Sequence, residues 1–192
     1  MCIIQGEVIH VNKTKILAVV ESKTQLTMYG NTVAFKEHDT NNAMILPVPA
    51  PSDQVTFKLP LNDEKAKVDV EKLFELCEDP FRPPVSKGAK SRGVALQSTN
   101  DSDESMLLEV HQVGSYKVSK APTAQDLGRI NPTVFVVQPD ILEILQNRYS
   151  TGFCFLIFQM DKTKTYHPFA YVHPLLPSGS VFIPTLHIHD NG

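Results

Sequence analysis

The sequence predicts an α+β protein with two β-rich halves of antiparallel strands, each with one main helix, that share a core. Alternating or β-branched runs of strand length occur in both halves. Each half also contains one amphipathic helical segment. The chain has 192 residues, and half of that length is too short to bury an adequate core alone. The halves are residues 1–79 and 106–192, joined by residues 80–105.

The first half begins with strands. Residues 15–20 are aliphatic and β-branched, and residues 25–28 alternate polar and apolar side chains, with a turn expected at 29–31. Residues 42–48 predict a buried strand, and residues 54–59 predict a short one. Because proline cannot donate to a ladder, the prolines that end the 42–48 segment predict that it lies at a sheet edge.

Two segments carry helix signals. In the first half, apolar residues recur at helical spacing on one face before Pro80: Val70, Leu73, Phe74 and Cys77. The position of Cys77 on that face predicts a buried thiol of low reactivity. In the second half, Pro139 suits the first turn of a helix that ends at Gly152.

The second half contains further strand signals. Strands are expected at residues 106–110, 113–118 and 153–160, with a short helix at 124–130 and a strand or its approach at 134–137. Proline and glycine between residues 166–172 and 180–188 predict that these two segments form an antiparallel hairpin. Residues 80–105 are rich in Pro, Gly, Ser and charged residues, and this composition predicts a flexible linker.

Composition excludes several classes of protein. The chain is 42% hydrophobic and 20% charged, and its net charge of −3 attracts neither nucleic acid nor an anionic membrane. The longest strongly apolar run, residues 153–158, is too short to span a bilayer, and the N-terminus has no signal-peptide pattern. Three widely spaced cysteines fit reduced thiols, so a cytoplasmic or otherwise intracellular protein is expected.

The order of several short motifs resembles a bacterial family of unknown function whose members are typically exported and begin, when mature, at a cysteine. The matching motifs are Cys2, Ala-Met-Ile-Leu-Pro-Val-Pro at 43–49, Gln-Val-Gly-Ser-Tyr at 112–116 and Phe-Ile-Pro at 182–184. The resemblance implies a fold but no reaction. The export signal and the linker cysteines of that family are missing here, which argues against an extracellular, disulfide-bearing role. The phrases Tyr-His-Pro-Phe-Ala-Tyr-Val-His-Pro at 166–174 and Phe-Ile-Pro-Thr-Leu-His-Ile-His-Asp at 182–190 resemble a divergent intracellular branch of protist or giant-virus type.

Cys2 is the candidate catalytic residue. Removal of Met1 would leave an amine beside the thiol, and such an amine can act as the base, as in N-terminal nucleophile hydrolases. The start Met-Cys-Ile-Ile-Gln-Gly also resembles the Met-Cys-Gly-Ile-x-Gly start of glutamine amidotransferases, although Ile3 stands where those enzymes have glycine. The alternative is a small residue that begins an edge strand.

Histidines near the end of the sequence are candidate metal ligands: His167, His187 and His189. Residues two apart on a strand share a face, so His187 and His189 can both reach one zinc ion. The alternative is a polar sheet face without metal. Since a His-x-His pair alone is a weak pattern, no cofactor is the leading expectation and zinc is the alternative.

Tyrosine and histidine side chains of the second half are candidate ligand-binding residues: Tyr116, Tyr166, Tyr171 and His173. The glycine two residues before Tyr116 marks a bulge or a close approach of the backbone, which would suit the wall of a pocket. The alternative is a structural tyrosine that ties down a turn.

These patterns favour an intracellular binding or assembly module over an enzyme, because no complete catalytic set is visible in the sequence. A protein partner or a homo-oligomer is expected, without nucleic acid or membrane. A hydrolase or amidohydrolase that uses Cys2 is the first alternative. A zinc-binding protein that uses the histidine cluster is the second.

Overall fold

The computed structural model describes residues 2–5, 8–35, 42–58, 70–78, 107–113, 116–149, 151–160, 169–184 and 187–189. The strands in these ranges are β1 (Cys2–Gln5), β2 (Val8–Glu21), β3 (Thr24–Phe35), β4 (Asn42–Val48), β5 (Thr56–Lys58), β6 (Val110–Val113), β7 (Tyr116–Ala121), β8 (Cys154–Met160), β9 (Phe169–Pro174) and β10 (His187–His189). The α-helices are α1 (Val70–Glu78) and α2 (Pro139–Arg148), and short 3-10 helices span Ser52–Gln54 and Gln125–Arg129.

The strands form two sheets. The first has the order β10-β1-β4-β8-β7-β6, and its pairs are antiparallel except that β10 runs parallel to β1. The second has the order β2-β3-β9-β5 and is antiparallel throughout. Each sheet takes strands from both halves of the sequence. The predicted α+β class with a shared core is therefore confirmed.

The main core lies between the two sheets, and a helix packs on the outer face of each. Alternate residues of β4 belong to two different hydrophobic clusters, one on each face of the first sheet. Met44 and Leu46 belong to the central cluster, whereas Ile45 packs with the α2 residues Ile141 and Leu145. On the other side, Phe74 of α1 packs against the second sheet. Because both faces of β4 are buried, its sequence is a continuous apolar run rather than an alternating one.

The turn predicted at residues 29–31 is wrong. β3 continues through this region, and the chain turns earlier, where Ser22 adopts a positive φ of 56°. Gly30 pairs with Lys15 of β2, and buried Asn31 donates to the Tyr29 hydroxyl at 3.4 Å. Strand pairing and burial therefore override the local turn preference of the Tyr-Gly-Asn sequence.

The prediction of an edge position for β4 is also wrong, because β4 lies between β1 and β8. Pro47 pairs with Phe155 of β8, but the pairing of β1 with β4 covers only residues 43–45. Among the described residues, Pro47 is therefore paired on the β8 side only. Within the described part of β1, the missing N–H of this proline removes no hydrogen bond, so a central strand can contain it.

The predicted hairpin of residues 166–172 with 180–188 does not form. β9 joins the second sheet, whereas β10 crosses to the first sheet and pairs in parallel with β1. The turn between them is present, with the Gly179 N–H donating to the Leu176 carbonyl at 2.7 Å. A local turn thus redirects the chain without deciding which sheet it enters. The predicted linker, residues 80–105, lies outside the described residues.

Candidate functional site

Cys2 and the histidine strand meet at one edge of the first sheet. The register of β1 with β10 places Cys2 beside His187 and Ile4 beside His189. Neighbouring strands lie about 4.8 Å apart, so the backbones of the candidate nucleophile and of two candidate metal ligands are adjacent. Nothing local in the sequence links residues 2 and 187, and the sequence therefore predicted separate sites.

Gln25 holds the segment that leads to β10. Its buried amide nitrogen donates to the Phe182 carbonyl at 2.6 Å and lies 2.7 Å from the Thr27 hydroxyl. Its amide oxygen accepts a hydrogen bond from the Phe182 N–H at 2.8 Å. The Phe182 ring also lies 5.9 Å from the ring of Phe153. These contacts fix the chain where it leaves the second sheet on its way to β10.

Gln5 fixes β1 from the opposite side. Its carboxamide is buried and, oriented to suit its neighbours, donates to the Val136 carbonyl at 2.8 Å and accepts from the Gln138 N–H at 2.9 Å. Gln138 is the N-cap residue of α2. Because Ile3 also packs against the helix, β1 is tied to the start of α2 by both polar and apolar contacts.

Three of the four candidate ligand-binding residues lie in the interior. Tyr116, Tyr171 and His173 are each no more than 2% exposed. Their rings are linked through Phe169: Tyr116 lies 5.7 Å from it, Tyr171 6.2 Å from it, and His173 5.8 Å from Tyr171. Tyr166 lies outside the described residues. The structure thus shows a buried row of rings here, and ligand binding by these residues stays a prediction.

His173 lies at the end of this row of rings, and its burial determines its charge state. Its Nδ1 lies 2.7 Å from the Pro174 carbonyl, and since a carbonyl only accepts, Nδ1 carries the proton. Its Nε2 is buried with no hydrogen-bond partner among the described residues. Burial disfavours the imidazolium and lowers the pKa of His173, although the bond to Pro174 acts in the opposite direction.

His173 should therefore make the fold less stable in acid. An unfolded histidine has a pKa of about 6.5, and the folded pKa is lower, so the unfolded state binds more protons as the pH falls below that value. The contribution is fully present above the unfolded pKa and is lost as the pH falls. In urea titrations at a series of pH values, the free energy of unfolding should fall less steeply with decreasing pH for His173→Gln than for the parent protein below about pH 6.5.

The control for that experiment is the parent protein, titrated in urea at the same pH values. Equal slopes for the parent protein and His173→Gln would show that His173 does not titrate differently on unfolding.

Two of the three cysteines have described side chains. Cys77 is exposed, so the prediction that it is a core thiol is wrong. Among the described side chains of α1, only Phe74 is buried. Cys154 is buried, and desolvation raises the pKa of its thiol to about 12, which leaves it protonated and unreactive near neutral pH.

A cavity of about 220 Å³ opens near the C-terminal end of α2. Its lining is Ala50, Pro51, Pro122, Thr123, Tyr149, Thr151, Gly152 and Phe153. The Thr123 hydroxyl donates to Asp126 at 2.8 Å, and burial raises the pKa of the Tyr149 phenol. The lining therefore presents apolar walls and uncharged hydroxyl groups. The sequence did not single out this cavity, because its residues come from three separate segments.

The surface that the sequence analysis missed lies at the outer edge of the second sheet. Among the described strands, β2 has a neighbour on one side only, β3. Its side chains Ile9, Val19 and Val20 are 60%, 42% and 50% exposed. We call residues 15–21, which pair regularly with β3, the edge segment. The sequence identified this segment as a strand, but an edge position depends on which distant strands pair with one another.

The zinc hypothesis stays a prediction. Among the side chains that the structure describes, no group of three or more His, Cys, Asp or Glu residues could hold a metal ion. His167 and the side chains of Cys2, His187 and His189 lie outside that part of the chain. In the same described part, no helix is long and apolar enough to cross a membrane.

Comparison with known proteins finds no relative. No protein-family model, no curated protein and no solved structure matches the chain. The resemblance to the bacterial family of unknown function therefore stays a prediction, and function has to be inferred from the geometry of the chain itself.

Proposed function

We propose that this chain is an intracellular protein-binding module that takes up a partner strand along the outer edge of β2. The observation that carries the proposal is a run of five apolar residues, Ile-Leu-Ala-Val-Val at 16–20, on β2, a 14-residue strand that is outermost among the described strands. An edge strand offers a row of backbone N–H and C=O groups to another chain. Strand addition uses these groups for affinity and uses alternate side chains for specificity.

The composition of the edge segment supports this use. Proteins usually protect an edge strand with charged residues, proline or a bulge inside the exposed stretch. Here the charged residues Lys15 and Glu21 lie only at the two ends, and the apolar residues lie between them. Val19 and Val20 point to opposite faces because they are consecutive on a strand, and both are exposed. A partner strand would cover apolar surface on both faces.

The intracellular location is supported by the cysteines. Cys77 and Cys154 are both unpaired thiols, one exposed and one buried. An exposed unpaired thiol is typical of proteins in a reducing compartment.

Site-specific photo-crosslinking in expressing cells tests the proposed function. A photoreactive residue at Val19 should give adducts of discrete mass, and these should be lost when Val20→Lys is added, because a lysine on the edge opposes strand addition. Leu76, which is 58% exposed on α1, is the matched position for both changes. A crosslinker at Leu76 should not give these adducts, and Leu76→Lys should not remove them. Adducts at Val19 that survive Val20→Lys would reject the proposal.

Thiol chemistry at Cys2 is the second candidate function, and the register that places His187 beside Cys2 favours it. A neighbouring imidazole can accept the thiol proton and so increase the fraction of reactive thiolate. This candidate needs no assumption about an N-terminal amine. It also gives the His-x-His segment a role other than zinc binding.

Iodoacetamide labelling followed by mass spectrometry should rank the three thiols. With His187 acting as the base, Cys2 should react faster than exposed Cys77, and Cys154 should remain unlabelled in the folded protein because its pKa is raised to about 12. His187→Ala should slow Cys2 to the rate of Cys77, and urea should make Cys154 reactive. A Cys2 rate unchanged by His187→Ala would remove the second candidate.

A further inference from the structure

We infer that the strand added to β2 is β2 of a second copy of this chain, paired antiparallel about a two-fold axis at Ala18. This inference rests on the proposed strand-binding function and names its partner. It depends on the length of the edge segment, on its side-chain order and on the positions of its two charges.

The regular part of β2 is bounded on both sides. Its register with β3 shifts between Asn12 and Lys15, where Lys13 has a φ of 53°, and the strand ends before Ser22, which has a φ of 56°. Between these irregularities, the ladder runs without a shift from Lys15 opposite Gly30 to residue 21 opposite residue 24. The regular segment contains seven residues, 15–21, and its middle residue is Ala18. Among antiparallel registers, only the one centred there pairs the whole segment with itself.

That register is self-complementary in its side chains. It pairs Ala18 with Ala18, Leu17 with Val19, Ile16 with Val20, and Lys15 with Glu21. Each apolar residue of the edge segment thus meets an apolar residue, and each charge meets its opposite. Direct cross-strand pairs of these kinds stabilise an antiparallel ladder, whereas mismatched pairs do not.

The side chains of β2 on each face of the second sheet are consistent with the register centred at Ala18. Leu17 packs in the α1-side cluster, and the Lys15 ammonium lies 6.0 Å from the centroid of the Phe74 ring on α1. Glu21 has the same parity along β2 as Lys15 and is exposed. The two-fold axis stands perpendicular to the sheet, so it brings Glu21 of the second copy to this same face. Ile16, which packs against the main core, meets Val20 on the opposite face.

Shifted registers lose both the matching of apolar residues with each other and the pairing of Lys15 with Glu21. Moving the centre to Leu17 pairs Lys15 with Val19, and moving it to Val19 pairs Leu17 with Glu21. Each shift also leaves two residues of the edge segment without an opposite residue in the regular ladder. Pairing of a single strand edge covers a small area, so we expect a weak dimer that forms at high protein concentration.

Disulfide trapping tests the register directly. In a background with serine at Cys2 and Cys77, Ala18→Cys should form a covalent dimer on mild oxidation, because opposite Cα atoms in an antiparallel pair lie about 4.5–5.5 Å apart, within disulfide range. Val20→Cys is the matched control. Val20 is 50% exposed and more accessible than half-buried Ala18. In the inferred register, however, the two copies of residue 20 lie four residues apart along the strands, roughly 14 Å.

Charge reversal gives a second, independent readout. Lys15→Glu and Glu21→Lys should each reduce the dimer fraction in sedimentation equilibrium, and the double variant should restore it, because the pair then has opposite charges again. Far-UV circular dichroism and melting temperature should show that each variant is folded. Trapping of Val20→Cys at the rate of Ala18→Cys, or a double variant no better than the single ones, would overturn the inferred register.

The outcomes separate the inference from the proposed function. Adducts at Val19 with twice the mass of the chain support both. Adducts with a different protein that disappear in Val20→Lys, together with a parent chain that stays monomeric, leave the strand-binding function standing and reject self-pairing. A monomer without Val20-dependent adducts rejects both.

Discussion

Replacing Phe158 with alanine should lower the free energy of unfolding by roughly 3–5 kcal/mol, the range typical of a buried phenylalanine. Phe158 is 0% exposed in β8. Its ring lies 4.2 Å from Phe169, 5.5 Å from Tyr116 and 6.3 Å from Phe57, centroid to centroid. Removing it leaves a cavity between the sheets and breaks aromatic contacts to three strands. Urea unfolding followed by circular dichroism measures the loss.

Leu76→Ala is the matched control for Phe158→Ala. Leu76 is 58% exposed on α1, and truncation of an exposed side chain should change stability by no more than about 0.5 kcal/mol. A small effect at Phe158, similar to that at Leu76, would contradict the placement of the Phe158 ring at the centre of the packed sheets.

Gln25→Ala should have the second largest effect, a loss of roughly 2–4 kcal/mol in the free energy of unfolding. The substitution deletes several hydrogen bonds and leaves buried polar groups without their partner. The bonds lost are those from the Gln25 amide to the backbone of Phe182, at 2.6 and 2.8 Å, and to the Thr27 hydroxyl at 2.7 Å. The Phe182 bonds anchor the segment that precedes β10. Hydrogen exchange should therefore accelerate at residues 181–189 more than in β4 or β8.

An exposed glutamine provides the comparison. Gln146 lies on the exposed face of α2, so Gln146→Ala should leave both stability and exchange at residues 181–189 near the parent values. If Gln25→Ala lowered stability without a selective increase of exchange at 181–189, the anchoring role of Gln25 would be wrong. The labelling rate of Cys2 in the same variant then reports whether the position of β10 affects the thiol.

Several elements were predictable because their signals are local. β4 occupies residues 42–48 as predicted, since a continuous apolar run before prolines specifies a short buried strand. α2 begins at Pro139, because proline suits the first turn of a helix, and β8 falls within the predicted 153–160 segment. The predicted short helix at 124–130 is a 3-10 helix at Gln125–Arg129.

The errors concern which strands pair with one another rather than where most of the helices and strands occur. The turn expected at residues 29–31 yields to pairing with β2, and β4 lies between β1 and β8 although it contains Pro47. The expected hairpin fails because a local turn does not choose between two sheets. Each outcome depends on contacts between residues that are distant in sequence, which periodicity and turn preference do not encode.

The candidate sites divide in the same way. From the sequence alone come the residue types: a cysteine at position 2, a His-x-His strand, buried aromatic residues and the apolar run 16–20. These residue types can be identified from composition and from the alternation of side chains, because both are local features of the sequence. Only the tertiary structure sets Cys2 beside His187, buries Tyr171 and His173, and leaves β2 outermost among the described strands. Strand order is decided by the packing of the whole core, because the entropy of closing long loops is recovered only when both sheets and both helices are in place.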